Sequence, residues 1–165
     1  MQSTGTQYID TGIIPTATTG IRIDAYRSNN NDTFIVGLRN TSENTRWCIG
    51  QSSRFYYGYG VYSDSTTTYD TRAVLDLNYM NDKYFRIKNY STLVNNNSIS
   101  LPTLSFTPSY QIRLFGASGY AANQSYGKWS GRLYYVKISQ DNNLVMDLIP
   151  VRVGQVGYMY DKVTN

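Results

Sequence analysis

Apolar and polar residues alternate with a period of two along most of this chain. In Gly20 to Ala25, Ile21, Ile23 and Ala25 fall on one side and Arg22 and Asp24 on the other. Such alternation is the signature of a strand with one buried face. Phe34, Val36 and Leu38 form one face of the next strand, and Arg72 to Tyr79 places Ala73, Leu75 and Leu77 inward. Tyr84 to Asn89 repeats the pattern with Phe85 and Ile87, and Tyr110 to Phe115, Arg132 to Ser139 and Leu144 to Pro150 complete it. Arg46 to Gln51 and Arg54 to Tyr62 read as a hairpin across Ser52 and Ser53. Turn-forming clusters separate these runs: Ser28 to Asp32, Asn40 to Asn44, Ser63 to Thr68, Asn95 to Asn97, Gly116 to Gly127 and Gln140 to Asn143. No segment holds a helical period. Many short strands at regular spacing predict an antiparallel sandwich or barrel, with under about a tenth of the residues helical. The predicted core is Ile21, Ile23, Phe34, Val36, Leu38, Ile49, Leu75, Leu77, Phe85, Ile87, Ile112, Leu114, Val136, Ile138 and Leu148.

The chain has 165 residues, enough for one domain with a sizeable core, and no linker or fixed-period repeat divides residues 1–165. Its longest apolar runs are a few residues, far short of the roughly 20 of a membrane helix. Only 16% of residues are charged, whereas 15% are aromatic, a balance that argues for a folded core and not disorder. The net charge of +4 is spread along the chain, so a nucleic-acid surface is not indicated. The one cysteine, Cys48, has no partner for an internal disulfide and reads as a small buried residue.

The ends of the chain carry a resemblance. Ser3-Thr-Gly-Thr-Gln-Tyr-Ile-Asp-Thr-Gly12 opens it; Gly131-Arg-Leu-Tyr-Tyr-Val-Lys-Ile138, Asp147-Leu-Ile-Pro150 and Tyr160-Asp-Lys-Val163 close it. Together these segments resemble the concanavalin A-like, laminin-G-like jelly-roll modules of gut bacteriophage fibre and structural proteins and of Bacteroides surface proteins. The resemblance spans nearly the whole chain. It implies a two-sheet jelly roll whose terminal strands lie together, Tyr8 to Ile13 beside Gly157 to Val163. It also implies a module cut from a longer polypeptide, displayed on a virion or cell surface.

The residues narrow the chemistry. Without histidine there is no His-based triad, no His metal site and none of the usual acid–base group of neutral pH. Glycoside hydrolysis needs two carboxyl groups, roughly 5–5.5 or 6.5–9.5 Å apart. Glucanases of the resembled fold carry Glu-x-Asp-x-x-Glu on one strand. Here the sole glutamate is Glu43, and the pairs Asp64 with Asp70 and Asp76 with Asp82 are spaced too widely for that motif. A degenerate hydrolase is the remote alternative. Calcium is compatible with the resembled fold, but Asp32, Asp64, Asp70 and Asp141 show no ligand spacing and read as turn formers, so no metal is assigned.

What remains is surface recognition. The densest aromatic and arginine segment is Arg46 to Tyr62. A regular strand from Arg54 to Tyr62 would put Phe55, Tyr57, Tyr59 and Val61 on the core face. Arg54, Tyr56, Gly58, Gly60 and Tyr62 would share the other face, with the glycines leaving an open groove between aromatics. Equally, those glycines could serve close packing. Trp129, beside Lys128 in the long ambiguous stretch from Gly116 to Ser130, is a second aromatic signal, against the alternative that its ring plugs the end of the sandwich. The sequence-predicted binding residues are therefore Arg54, Tyr56, Tyr62 and Trp129, with Arg46 and Gln51 as polar contributors. The expected function is non-catalytic recognition of a glycan or cell-surface polysaccharide. The alternative is an assembly domain that contacts other virion or surface-protein subunits, with neither nucleic acid nor membrane as partner.

Overall fold

The computed structural model describes residues 1–16, 18–28, 33–40, 45–51, 55–60, 62–65, 72–78, 84–89, 96–100, 108–119 and 128–164. In chain order the strands are β1 (Gln2–Thr4), β2 (Ile9–Asp10), β3 (Gly20–Arg27), β4 (Thr33–Asn40), β5 (Thr45–Gln51), β6 (Phe55–Gly60) and β7 (Tyr62–Ser65). They continue with β8 (Arg72–Asn78), β9 (Tyr84–Asn89), β10 (Asn96–Ser100), β11 (Arg113–Leu114), β12 (Ser130–Gln140), β13 (Asn143–Val153) and β14 (Val156–Asp161). Among the described residues there is no helix, and every named strand pairing is antiparallel.

Two sheets form. The larger runs β10-β9-β8-β3-β12-β13-β14, with β1 also on β12, and the smaller runs β2-β11-β4-β5-β6-β7. Their inner faces share one core, as the alternation requires. The larger sheet contributes Ile21, Ile23, Leu75, Leu77, Val136, Ile138 and Leu148; the smaller contributes Val36, Leu38, Trp47, Ile49, Phe55, Tyr57, Ile112 and Leu114. Of the predicted core, Phe85 and Ile87 lie on β9, whose side chains are outside the description; the rest are buried.

One predicted face is wrong at a single residue. A bulge between Phe34 and Val36 shifts the register of β4 against β5. Ile35 and Val36 both reach the main core, while Phe34 joins Cys48, Ala117 and Tyr56 in a second small cluster. An inserted residue reverses the alternation on one side of it.

Three boundaries also differ. Arg54 to Tyr62 is not one strand: β6 ends at Gly60 and β7 turns back, with Tyr59 opposite Tyr62. Asn96 and Asn97, read as turn, belong to β10 and pair with β9. The chain ends do not meet as expected. β2 lies in the smaller sheet beside β11, whereas β14 edges the larger sheet. It is β1 that joins β12, pairing Gln2, Ser3 and Thr4 with Arg132, Gly131 and Ser130.

The edge of β12 is thus divided. Residues 130–132 pair with β1, and residues 136–140 pair with β13. Asp141 and Asn142 both have positive φ, 50° and 64°, so the β12–β13 hairpin closes on a two-residue type I′ turn. After Leu148, β13 pairs only with β14, through Val153 opposite Val156. The second hairpin turns at Gly154, whose φ is 61°. The main-chain bond from Lys162 N to Asp147 O, 3.0 Å, sets the phase of this ladder. Hydrogen-bonded pairs recur every second residue, so Ile149–Tyr160, Val151–Tyr158 and Val153–Val156 follow. Pro150 then falls where its absent N–H would have pointed at β12. Proline cannot donate to that ladder, and β1 occupies the vacated edge.

The root of this ribbon is tied by charge. Asp147 is buried beneath Lys162, 2.9 Å, and Lys137, 3.5 Å, while its amide donates to the Asp161 carboxylate at 2.9 Å. Burial works against the Asp147 charge, but the Lys162 hydrogen bond and the two ammonium charges outweigh it and hold the carboxyl below its usual 3.8. Asp161 is likewise lowered: burial opposes its charge, and hydrogen bonds from Asp147, Val163 and Thr164 prevail.

Two outcomes follow from this packing. Leu75→Ala or Ile138→Ala costs about 2–5 kcal/mol, read as a lowered denaturation midpoint; an unchanged midpoint contradicts the face assignment. A carboxyl depressed in the folded state contributes stability above its unfolded pKa and loses it as pH falls through the folded value. The melting temperature therefore drops on acidification below pH 3.8, and Asp147→Asn flattens that drop. An equal acid drop in both proteins removes Asp147 from the account.

Candidate functional site

The structure divides the six sequence-predicted site residues. Trp129 has 0% exposure. Its ring stacks on Phe115, with centroids 5.9 Å apart and planes at 19°. Its indole Nε1 donates to Gln51 Oε1 at 2.7 Å, and Gln51 is itself fully buried. A buried indole N–H requires such an acceptor, so these two residues complete the interior and border no ligand surface. Gly131 records the same packing: a Cβ there would stand 2.2 Å from the Trp129 ring. Gly131 thus gives room to an inward ring.

Tyr56 and Arg46 are half-buried on the outer side of the smaller sheet. The Tyr56 ring meets Phe34 edge-on, 6.1 Å between centroids at 76°, and its hydroxyl donates to the Thr33 carbonyl at 3.3 Å. At Gly58 the face expected to be open is filled, and the surroundings of Gly60 lie outside the description. A Cβ on Gly50 would meet the Tyr56 ring at 2.2 Å, and one on Gly58 would meet the Arg46 stem at 2.4 Å. Both glycines serve close packing. Tyr62 lies on β7, with its side chain outside the description, and Arg54 lies outside the described residues.

The outer face of the larger sheet brings together residues that the sequence reading did not single out. Register sets Arg132, Tyr26 and Arg72 in one row across β12, β3 and β8, and Tyr135, Asp24 and Val74 in the next. The Arg72 guanidinium clasps Asp24 through both carboxylate oxygens, at 3.0 and 2.8 Å, and lies 3.9 Å from the Tyr134 ring centroid. Arg132 stands 5.6 Å from the Tyr26 centroid and donates to Gln2 at 3.1 Å. Tyr26, Tyr134 and Tyr135 are each half-exposed. A bulge between Leu133 and Tyr135 inserts Tyr134, which is how two consecutive tyrosines come to serve this surface. Alternation around Leu133, Val136 and Ile138 was the only signal available, and it does not reveal an inserted residue.

Chemically this face offers flat apolar rings edged by fixed cations. Among the side chains described it offers no close pair of unengaged carboxylates. Asp24 is held by Arg72, Asp10 by Arg113, and Asp147 by Lys137 and Lys162, while Asp161 accepts from Asp147 and Val163 amides. Among the described residues no group of three potential metal ligands converges. Asp141 stands on the β12–β13 turn; Asp32, Asp70 and Glu43 lie outside the described residues.

A scan of protein-family models finds none that matches this chain. Among curated protein sequences there is no significant match either.

Trp129→Ala is expected to cost about 3–5 kcal/mol, as for other large core aromatics. Gln51→Leu strands the indole donor and costs about 1–3 kcal/mol. Thermal unfolding checks both, and a Trp129→Ala protein as stable as wild type returns that ring to the surface.

Proposed function

We propose that this chain is a non-catalytic recognition module whose binding surface is the tyrosine and arginine face of the larger sheet. Its ligand class is a glycan, the polysaccharide of a cell surface. A pyranose presents a C–H face to an aromatic ring and hydroxyl groups to planar donors. Tyr134 with Arg72 is the observation that carries this reading. The ring is half-exposed, and the guanidinium above it is fixed by Asp24, so neither group is ordered anew on binding. The virion or cell-surface setting rests on the resemblance carried by Ser3 to Gly12 and Gly131 to Val163. The engagement of Asp10, Asp24, Asp147 and Asp161 in ties of the fold favours recognition over hydrolysis.

A second reading, assembly against a protein surface, is favoured by the β13–β14 ribbon. It leaves Val153, Val156, Tyr158 and Tyr160 open to solvent, and exposed apolar patches of this kind mark protein contacts.

A glycan array probed at micromolar protein tests the first reading. Binding to one class of polysaccharide is expected, reduced at least about tenfold by Tyr134→Ala, the order of one lost stacking contact. Circular dichroism should show the variant folded. No glycan bound, or equal binding by a folded Tyr134→Ala protein, overturns it.

A further inference from the structure

The ribbon beyond Leu148 has one apolar face. Directly opposed residues of antiparallel strands share a face. The pairs Ile149–Tyr160, Val151–Tyr158 and Val153–Val156 therefore line one side, with Pro150–Met159 and Arg152–Gly157 on the other. On the apolar side Val153 is 66% exposed, Val156 54%, Tyr158 50% and Tyr160 39%. A two-stranded hairpin is marginal by itself in water, and among the described residues these two strands cover this face with nothing but each other.

Among the described residues β14 is also a free sheet edge. Natural edges are blunted by lysine, proline, bulges or shortness. β2 has two residues, β7 has four, and β10 reads Asn-Asn-Ser-Ile-Ser. β14 reads Val-Gly-Tyr-Met-Tyr-Asp, six residues with no lysine, no proline and no bulge. The ladder phase turns the Tyr158 and Tyr160 main-chain groups toward β13, so those of Gly157 and Met159 point outward.

We infer that β14 pairs antiparallel with β14 of a second copy of this chain about a two-fold axis at Tyr158, joining the two larger sheets into one. The inference rests on the assembly reading and is independent of the glycan reading. That register sets Gly157 opposite Met159 of the second copy, where the outward amides and carbonyls of both bond. Tyr158 faces its own counterpart, and Val156 faces Tyr160. The apolar stripe then runs unbroken across both ribbons. The charges agree with it: Asp161 comes opposite Gln155 and Lys162 opposite Gly154, so no like charges meet. Isologous two-fold contact is the commonest form of self-association, and it needs a self-complementary strand such as this one. The four exposed side chains supply roughly 400 Å² a copy, about 800 Å² in the pair, at the low end of specific interfaces. The dimer is accordingly weak and concentration-dependent.

Sedimentation of the whole chain from micromolar to millimolar concentration tests this. Wild type should pass reversibly from monomer to dimer. Tyr158→Lys, which sets two ammonium groups face to face, should remain monomeric with an unchanged melting temperature. Register is read with cysteines: Tyr158→Cys should form a disulfide-linked dimer on mild oxidation, since a non-hydrogen-bonded pair brings the Cα atoms to about 4.5 Å. Val153→Cys should form little. A wild-type monomer at millimolar concentration overturns the proposal. So does a dimer indifferent to Tyr158→Lys, or equal crosslinking by both cysteine variants. The first result with glycan binding intact refutes self-pairing alone; loss of glycan binding with the dimer intact refutes only the glycan reading.

Discussion

The missing amide hydrogen of Pro150 decides how this sandwich presents itself. β12 is the spine of the larger sheet, bonded along one side to β3 and along the other to β13 for part of its length. At Leu148 the next donor toward β12 would be Pro150, which has none. The vacated stretch goes to β1, tied further by the Met1 amino group on the Leu133 carbonyl at 2.7 Å and the Leu133 amide on the Met1 carbonyl at 2.8 Å. β13 continues with β14 alone. One imino acid thus ends the pairing of β13 with β12 and leaves a two-stranded ribbon whose Met159 still packs on the core, and the ion cluster of Asp147, Lys137 and Lys162 anchors that ribbon at its root.

Much of the fold is legible in the sequence because burial on one face imposes a period of two. Ile21, Ile23, Leu75, Leu77, Val136 and Ile138 could be assigned to the core from alternation alone. Bulges set the limit. At Phe34 and at Tyr134 one extra residue reverses the side of the sheet, and nothing in the residue types announces it. Hence Phe34 was placed in the wrong cluster and the outward tyrosines of β12 went unremarked. The asparagines of β10 read as turn formers, yet they pair as an edge strand, since cross-strand pairing overrides so weak a local preference.

The binding site was less legible than the core, for a physical reason. Aromatic residues and glycines together signify either an open groove or a close-packed one, and the sequence reading weighed these equally. Gly50, Gly58 and Gly131 all prove to be places where a neighbouring side chain fills the space of the missing Cβ. Trp129 beside a lysine could be read as an exposed ring or as a plug of the sandwich, and its indole N–H bonds Gln51 inside. Among the described residues, the two surfaces that present aromatic or apolar side chains to solvent in a group are the Tyr26, Tyr134 and Arg72 face and the apolar side of the ribbon. Each presents aromatic rings on rigid strands, as a recognition or assembly module requires.

β13 parts from β12 after Leu148, and among the described residues β14 has an open edge. Residue-resolved amide hydrogen exchange on the dilute protein tests this arrangement most directly. The account predicts strong protection at Tyr158 and Tyr160, whose amides bond across the ribbon, and exchange near the open-chain rate at Gly157 and Met159. Equal protection at all four positions in the monomer would contradict it.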